Sequence, residues 1–395
     1  MSLGIGIVGL PNVGKSTLFN ALSGASVLAA NYPFATKDPN IGIVPVPDER
    51  LTRLSALFKP KKTTPAALEF VDIAGLVRGA SKGEGLGNQF LANIRETNAI
   101  AQVLRCFRDG DVVHVDGDVD PERDAGVIDT ELLLKDLEAV EKRRERTIKM
   151  TKAVGKPGEE ARAEVAALDK LKVGLNAGLP VRALFASDPR SESAVRSPTA
   201  SLAGGGAEVP HLSDDERALV KDLWLLTAKP TLFVANVSEP QLGKLDTDPD
   251  VAKARAVAAA HNAPIIEICA QVEAEIQQLP LEERAGFLES VGLAEPGLNK
   301  LVRAAYKLLG LQSYFTAGED ECRAWTIPVG ARAPQAAGVI HTDFERGFIK
   351  AEVMHLKDLL ELGSEGAVKE RGLMRMEGKE YVVHDGDVMH FRFNV

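Results

Sequence analysis

Short runs of apolar residues, bounded by glycine, proline and polar residues, recur along the chain and predict buried β-strands. Segments with apolar residues at helical spacing separate these runs before residue 127 and again after residue 213. The predicted strands are Gly4–Val8, Ile41–Val44, Ala67–Asp72, Thr231–Asn236 and Pro264–Ala270. Alternating strands and helices are typical of a doubly wound α/β domain. We therefore predict one such domain in two parts, residues 1–127 and 213–310.

A charged helical pattern interrupts this alternation at residues 128–212. Apolar residues recur at helical spacing in two runs, at Leu133, Leu137 and Val140 and then at Ala161, Val165, Leu168 and Leu175. Gly155–Gly158 separates the runs, which predicts an inserted helical hairpin in the form of an antiparallel coiled coil. Residues 142–152 are rich in lysine and arginine, which indicates either a solvated face or an RNA-contacting surface. Residues 188–210, rich in Ser, Pro, Ala and Gly, predict a loop, and a helix is expected at about Asp214–Ala228.

Residues 311–395 carry shorter strand patterns and predict a separate small domain. The strands are predicted at Tyr314–Gly318, Cys322–Pro328, His341–Phe344, Gly347–Val353, Lys379–Val383 and His390–Val395, with one short helix opening at Pro334–Gly338. Such a set suggests a β-grasp module. Trp325, Phe344 and Phe348 are expected to pack in its core, and its nearly balanced charge does not support nucleic-acid binding.

Composition narrows the class of protein. The chain is 45% hydrophobic and 26% charged, as in ordinary globular proteins. Its net charge of −9 gives no overall basic field, so we expect no DNA partner and only local contacts with other nucleic acid. No apolar run approaches the roughly 18 residues of a membrane span, so no membrane partner is expected. The separated Cys106, Cys269 and Cys322 show no metal spacing and suggest reduced thiols in a cytoplasmic protein.

The segment Gly9–Thr17 has the spacing of a phosphate-binding loop. It follows a predicted strand and opens a helical run, which is the context that such a loop requires. Its backbone N–H groups and the positive end of the helix would hold a di- or triphosphate. Lys15 is the candidate contact for the β- and γ-phosphates, and Ser16 is a candidate Mg²⁺ ligand.

Two later motifs are candidates for completing the Mg²⁺ and γ-phosphate contacts. Thr36, in a proline-broken loop, is either a Mg²⁺ ligand or an ordinary turn threonine. Asp72 ends a predicted buried strand and would hold Mg²⁺ through water, while the N–H of Gly75 would contact the γ-phosphate. Leu76 follows, where Ras-like GTPases carry a water-orienting glutamine, so hydrolysis must use another group, a partner or a bound cation. His114 is either a catalytic group near the γ-phosphate or a surface histidine.

The strand Thr231–Asn236 continues into Asn-Val-Ser-Glu, where GTPases carry Asn-Lys-x-Asp. In that motif the aspartate accepts two hydrogen bonds from guanine and the lysine covers the base. Val237 and Glu239 take those two places here. The longer carboxylate cannot sit at the same position, and each lost charge-assisted bond is worth roughly 1.5 to 3 kcal/mol. We therefore predict that guanine preference is lost.

Together with Asn31–Thr36, Asp72–Leu76 and the final domain, these motifs resemble the YchF subfamily of Obg-related P-loop proteins, the Obg-like ATPases. The resemblance covers nearly the whole chain and implies a P-loop NTPase fold with a coiled-coil insertion and a C-terminal TGS domain. It implies ATP hydrolysis with catalytic roles for Lys15 and His114. The implied nucleotide and metal contacts are Asn12, Val13, Gly14, Lys15, Ser16 and Thr17 at the phosphates, Asn236, Val237 and Glu239 at the base, and Ser16 and Thr36 at Mg²⁺.

The resemblance also implies association with the ribosome, through the large subunit or ribosomal RNA, and a role in translation or stress response. Asn12 is a candidate K⁺ ligand by resemblance to potassium-stimulated members of the wider class. The leading interpretation is a slow ATPase switch. A conventional translational GTPase and a non-catalytic, nucleotide-dependent binding scaffold are its alternatives. The loop at 188–210 is longer than the family pattern suggests.

Overall fold

The computed structural model describes residues 3–26, 40–73, 86–110, 112, 114–115, 117–185 and 210–394. Contacts divide these residues into two compact units. The first contains residues 3–26, 40–42 and 69–298, and the second contains residues 43–68 and 299–394. The predicted boundaries at 127, 212 and 310 stay predictions, whereas the grouping of 43–68 with the C-terminal residues was not anticipated.

A six-stranded sheet with the order β2-β4-β1-β5-β6-β7 is formed mainly by residues of the first unit. Its strands are β1 Gly4–Val8, β2 Ile41–Pro45, β4 Ala67–Asp72, β5 Ala99–Arg105, β6 Thr231–Asn236 and β7 Ile265–Ile268. The pairs β1–β4, β1–β5, β5–β6 and β6–β7 are parallel. Every residue of β1, β5 and β6 is buried, as expected for parallel strands covered on both faces. The predicted doubly wound α/β fold is confirmed.

Helices flank this sheet and form the insertion. They are α1 Lys15–Ser26, α3 Leu86–Glu96, α4 Pro121–Met150, α5 Lys156–Asn176, α6 Val181–Leu184, α7 Asp214–Val220, α8 Pro249–Ala260, α9 Ala270–Gln278 and α10 Leu281–Ser290. Short 3₁₀ helices cover Lys221–Leu223, Leu226–Ala228 and Glu239–Lys244. The helix α11, Gly297–Leu308, runs from the first unit into the second. No helix in the described ranges is long and apolar enough to cross a membrane.

The predicted helical hairpin consists of α4 and α5, which pack around Val140, Leu168 and Leu171. Its boundaries differ from the expectation. The helix α4 begins at Pro121, because Asp120 caps it by accepting bonds from the Glu122 and Arg123 N–H groups. The helix α5 already includes Lys156–Gly158, since proline is tolerated in a first turn.

The predicted helix 214–228 was too long. The helix α7 ends at Val220, and 3₁₀ turns follow it. Trp224 adopts a left-handed backbone with φ of 48°, which a continuous helix cannot contain.

The second unit holds a sheet with the order β11-β10-β12-β8-β9-β3. Its strands are β3 Lys62–Thr64, β8 Leu311–Thr316, β9 Glu321–Pro328, β10 Phe348–His355, β11 Arg375–Glu377 and β12 Asp387–Phe393. Its helices are α2 Glu49–Phe58, α12 Ala333–Ile340, α13 Thr342–Arg346, α14 Leu356–Leu362 and α15 Glu365–Glu370. Because β3 pairs in parallel with β9, residues 62–64 extend the C-terminal sheet.

Three details of the C-terminal prediction were wrong. His341–Phe344 is not a strand, because the His341 ring caps α13 by accepting a bond from the Asp343 N–H. Lys379–Val383 forms only an isolated bridge, and the edge strand is β11 instead. The region also holds four short helices and not one. The predicted core roles were correct, since Phe348 is buried and Trp325 and Phe344 pack against the same cluster.

Candidate functional site

The phosphate-binding loop lies between β1 and α1, at the carboxyl end of a central strand. Asn12 has a φ of +61° and Gly14 a φ of +94°, so the loop turns through left-handed conformations. A Cβ atom at position 14 would lie 2.1 Å from the Asn236 amide nitrogen. Glycine is therefore required there both for its backbone and for its missing side chain.

Lys15 is almost fully enclosed by this loop, with 7% of its surface exposed. Its Nζ donates to the Leu10 carbonyl at 2.7 Å. Burial lowers the pKa of Lys15 to about 8, and attraction to Asp72 opposes this shift only in part. The protein surroundings of Lys15 therefore disfavour its charged ammonium form.

Ser16 and Asp72 meet beside the loop, with Ser16 Oγ 3.5 Å from Asp72 Oδ2. Asp72 Oδ1 is buried and has no hydrogen-bond partner among the described residues. Burial raises the pKa of Asp72, while Lys15 and Ser16 oppose the rise. A hydroxyl and an unsatisfied carboxylate oxygen are hard donors, so the two residues fit Mg²⁺. Within the described residues, no group of three or more His, Cys, Asp or Glu could hold a metal ion, so phosphate oxygens and water would complete the shell.

Other predicted contacts of this site lie outside the described residues. These are Thr36, Gly75 and Leu76; most of the predicted loop at 188–210 also lies outside the described residues. Of the remaining loop residues, Val13 is buried, whereas Asn12 and Thr17 are exposed.

Asn236 ties the end of β6 to the phosphate loop. Its side-chain nitrogen donates to the Val13 carbonyl at 2.8 Å, and its side-chain oxygen accepts a bond of 3.0 Å from the Ala270 N–H. The residue is 4% exposed. The structure thus brings this predicted base-motif residue together with the phosphate loop, and its amide links three segments, β6, the loop and the start of α9.

Val237 and Glu239 take different surroundings. Val237 is 2% exposed and packs in the hydrophobic core, and its N–H donates to the Ile268 carbonyl at 2.9 Å, so its side chain is not available to a ligand. Glu239 is exposed at the first position of a 3₁₀ helix. Among the three base-motif residues predicted to contact a nucleotide, Glu239 is therefore the one with an available side chain.

Gln241, which the sequence analysis missed, fixes this turn. Its side-chain oxygen accepts bonds from the Ser238 N–H and Oγ at 2.8 and 2.7 Å. Its side-chain nitrogen donates to the Cys106 carbonyl and to Asp248 Oδ2, both at 2.8 Å. The Ser-x-x-Gln spacing of a capping box was the signal that could have found it.

Arg105 is a second residue that the sequence analysis missed. It ends β5, is 2% exposed and donates to the Asn12, Phe107 and Val112 carbonyls at 3.3, 3.1 and 2.9 Å. Burial lowers the pKa of its guanidinium. An arginine at the end of an apolar strand was the available signal, and its contacts show that it supports the back of the phosphate loop.

His114 is buried at 5% exposure, so the surface interpretation was wrong. Its Nε2 lies 2.8 Å from Asp124 Oδ2, because the carboxylate at the start of α4 is buried beside the ring. Arg123 also donates to Asp124 Oδ1 at 2.8 Å. The ring is therefore held by a buried carboxylate, and its catalytic role stays a prediction.

Two family models match parts of the chain. A family model described as a 50S ribosome-binding GTPase matches residues 4–151. The model of the YchF-GTPase C-terminal domain, described as a protein of unknown function, matches residues 311–394.

Similar proteins span the full chain. The ribosome-binding ATPase YchF of Bacillus subtilis is 50% identical over 395 residues, and that of Escherichia coli O157:H7 is 50% identical over 396, each with 100% of both chains covered. The solved structure of the Schizosaccharomyces pombe YchF GTPase matches with a TM-score of 0.84 and 38% identity, covering 99% of this chain and 98% of that one. The resemblance and the fold class inferred from the sequence are thus confirmed, and the chain belongs to the YchF family of P-loop nucleoside triphosphatases.

Proposed function

We propose that this protein binds Mg²⁺-ATP in preference to GTP, hydrolyses it slowly and acts as a ribosome-associated switch in translation or stress response. The observation that supports the base preference is that the three residues of the base motif after β6 have different surroundings. The Asn236 side chain donates to the phosphate loop at the Val13 carbonyl, and Val237 is buried. Glu239 is the exposed acidic side chain. The lysine and aspartate that would select guanine are both missing.

We assign hydrolysis to the predicted phosphate and Mg²⁺ contacts together with His114. The β- and γ-phosphates would stabilise the buried ammonium of Lys15 by their negative charge. Ser16, Asp72 and Thr36 would hold Mg²⁺, which neutralises charge on the phosphates when bound. His114 is the candidate for positioning the attacking water, and Asp124 fixes the ring. K⁺ near Asn12 is the candidate for further charge neutralisation.

The partner is proposed from the relatives. Two of them are called ribosome-binding ATPases, and a matching family model is described as a 50S ribosome-binding GTPase. We assign this chain the same kind of partner, the large ribosomal subunit or its RNA, and hence a cytoplasmic location.

The first experiment compares the affinities for Mg²⁺-ATP and Mg²⁺-GTP. Glu239→Asp is the informative change because Glu239 is exposed, whereas a lysine at buried Val237 would also disturb the core. Wild type is expected to prefer ATP, and Glu239→Asp to move the preference toward GTP. Glu239→Gln, which keeps the length without the charge, is the matched control. A wild type that prefers GTP would refute the proposal and support the conventional GTPase, the name under which the fission-yeast structure is described.

Multiple-turnover phosphate release tests hydrolysis separately from binding. His114→Ala is expected to keep ATP affinity and lose turnover, and Lys15→Ala to lose both. Replacing K⁺ by Na⁺ is expected to slow the wild type. Turnover no higher than that of Lys15→Ala would favour the non-catalytic scaffold.

A further inference from the structure

Arg105 contacts both the phosphate loop and the chain segment that leads to His114. Its side chain is buried, and it is the last residue of β5, an interior strand of the main sheet. Its Nη1 donates to the Asn12 carbonyl at 3.3 Å, and its Nη2 donates to the Val112 carbonyl at 2.9 Å. One guanidinium group therefore joins the phosphate loop to a point two residues before His114.

The neighbouring strand end provides a reference for this connection. Arg105 is in register with Asn236 at the end of β6. The Asn236 side chain donates to the Val13 carbonyl, which directly follows the Asn12 carbonyl that Arg105 holds. Two adjacent strand ends thus hold two successive carbonyls of the phosphate loop. Arg105 differs from Asn236 in that it also reaches Val112.

The segment around His114 is held at further points. The Nε2 atom of His114 lies 2.8 Å from Asp124 Oδ2 at the start of α4, and the His114 carbonyl accepts a bond of 3.1 Å from the Gly117 N–H. The Asp124 contact acts on the ring. The Arg105 contact acts on the backbone before the ring, at the Val112 carbonyl.

The shape of the guanidinium group explains why arginine suits this position. Its Nε donates to the Phe107 carbonyl at 3.1 Å, so one planar group donates to three backbone carbonyls together with the bonds to Asn12 and Val112. A buried charge that donates to neutral carbonyls costs free energy. The advantage of Arg105 is therefore its fixed fork of donors, which a lysine or a single amide does not offer.

We propose that Arg105 is a positioning residue for hydrolysis, which fixes the segment that carries His114 relative to the phosphate loop. The inference deepens the proposed function and rests on its assignment of His114 to hydrolysis. The alternative is that Arg105 only supports the phosphate loop. That alternative predicts a loss of ATP affinity, whereas positioning of His114 predicts a loss of turnover with ATP affinity nearly kept.

The test is a double-mutant cycle of Arg105→Lys with His114→Ala, read out as kcat and as ATP affinity. Lysine keeps the charge, but its single ammonium group cannot keep the geometry of the bonds to both Asn12 and Val112. Arg105→Gln, which removes the buried charge and keeps a planar amide, is measured as well. Urea unfolding of each variant verifies that it is folded.

The control is the same substitution at an arginine elsewhere in the first unit. Arg255 on α8 donates to Glu267 and Asp246 at 2.8 and 2.9 Å. Arg255→Lys therefore repeats the loss of a two-partner guanidinium without touching the phosphate loop or the His114 segment. It is expected to keep the wild-type kcat and ATP affinity.

The kcat of Arg105→Lys is expected to fall at least about tenfold, because small misplacements of a reacting group are costly. Its ATP affinity is expected to change less than about threefold, since the bond to Asn12 is the longest of the three. In the His114→Ala background the same substitution is expected to lower kcat less than about twofold, because the residue that it positions is gone.

Three results would overturn the inference. Wild-type kcat in both Arg105 variants, with His114→Ala impaired, would refute it and leave the role of His114 standing. An equal fall in kcat with and without His114 would show that Arg105 acts through the phosphate loop alone. Wild-type turnover in His114→Ala would refute both the inference and the assignment of His114 in the proposed function.

Discussion

The pKa of Lys15 offers a direct test of how the phosphate loop binds a phosphate. Its ammonium is buried and donates to the Leu10 carbonyl at 2.7 Å, and burial lowers its pKa to about 8 despite the attraction of Asp72. Bound phosphates would stabilise the charged form and raise this pKa again. ATP binding should therefore take up a proton at a pH above 8.

The size of the effect follows from the pKa. At pH 8.5 a group with a pKa of about 8 is protonated to roughly one quarter, so binding should take up roughly 0.8 proton. Between pH 7 and 9 the protonated fraction falls about tenfold, and ATP affinity should fall with it. As the pH rises, the contribution of Lys15 to folding stability changes in the opposite direction to its contribution to ATP affinity. The folded, ligand-free state binds fewer protons than the unfolded state between pH 8 and 10.5, so the contribution of Lys15 to stability rises across that window.

Calorimetry of ATP binding at pH 8.5 in two buffers of different ionisation enthalpy measures the proton uptake. The ATP phosphates are already ionised at that pH, so they do not contribute. Lys15→Arg is the control, because arginine stays charged throughout the range. Equal binding enthalpies in the two buffers for wild type would refute the account of Lys15.

Two further predictions concern the backbone at Gly14 and the hydrogen bonds of Asp136. Gly14→Ala should lower ATP affinity by at least about tenfold in an ATP titration, because its Cβ would meet the Asn236 amide and its φ of +94° is unfavourable for alanine. Gly110→Ala, whose Cβ would have no neighbour within 4 Å, is the control, and equal affinities for the two variants would contradict the reasoning. Asp136→Ala should lower the free energy of unfolding in urea by at least about 3 kcal/mol, since it leaves three buried donors, two of them on Thr227, without an acceptor. Asp136→Asn should lose less, and an unchanged urea midpoint for the alanine variant would show that Asp136 does not anchor the hairpin.

Five of the six strands of the main parallel sheet could be predicted from the sequence because they are local signals, whereas β5, Ala99–Arg105, was missed. A fully buried parallel strand is a continuous apolar run, and β1 and β6 are such runs. The pairing of β3 with β9 left no such signal, since residues 62–64 are short and polar and their partner is far away in the chain. The strand predicted at Lys379–Val383 was wrong for the opposite reason. Its local pattern is strand-like, but its neighbours offer only one bridge.

The candidate site likewise contains residues that a local motif identifies and residues that only distant contacts reveal. The phosphate loop was predictable because its function requires residues in one continuous segment. Arg105, Gln241 and Asp124 act through contacts with distant segments, and no local spacing records which carbonyl or ring they reach. Asp124 looked like an ordinary acidic residue in a first helical turn, yet it holds His114 in the interior.

The contacts after β6 explain how the base motif can change while the phosphate site stays intact. Asn236 joins β6 to the phosphate loop and to the start of α9 through its side-chain amide, so it has a structural role at this position. Val237 supplies core packing, and Gln241 holds the backbone of the turn through Ser238 and Cys106. Glu239, exposed and outside these bonds, is then free to differ from the aspartate of a GTPase at no cost to the fold. A change at Glu239 should therefore alter nucleotide preference and leave the free energy of unfolding unchanged, because surface substitutions of this kind usually stay within about 0.5 kcal/mol.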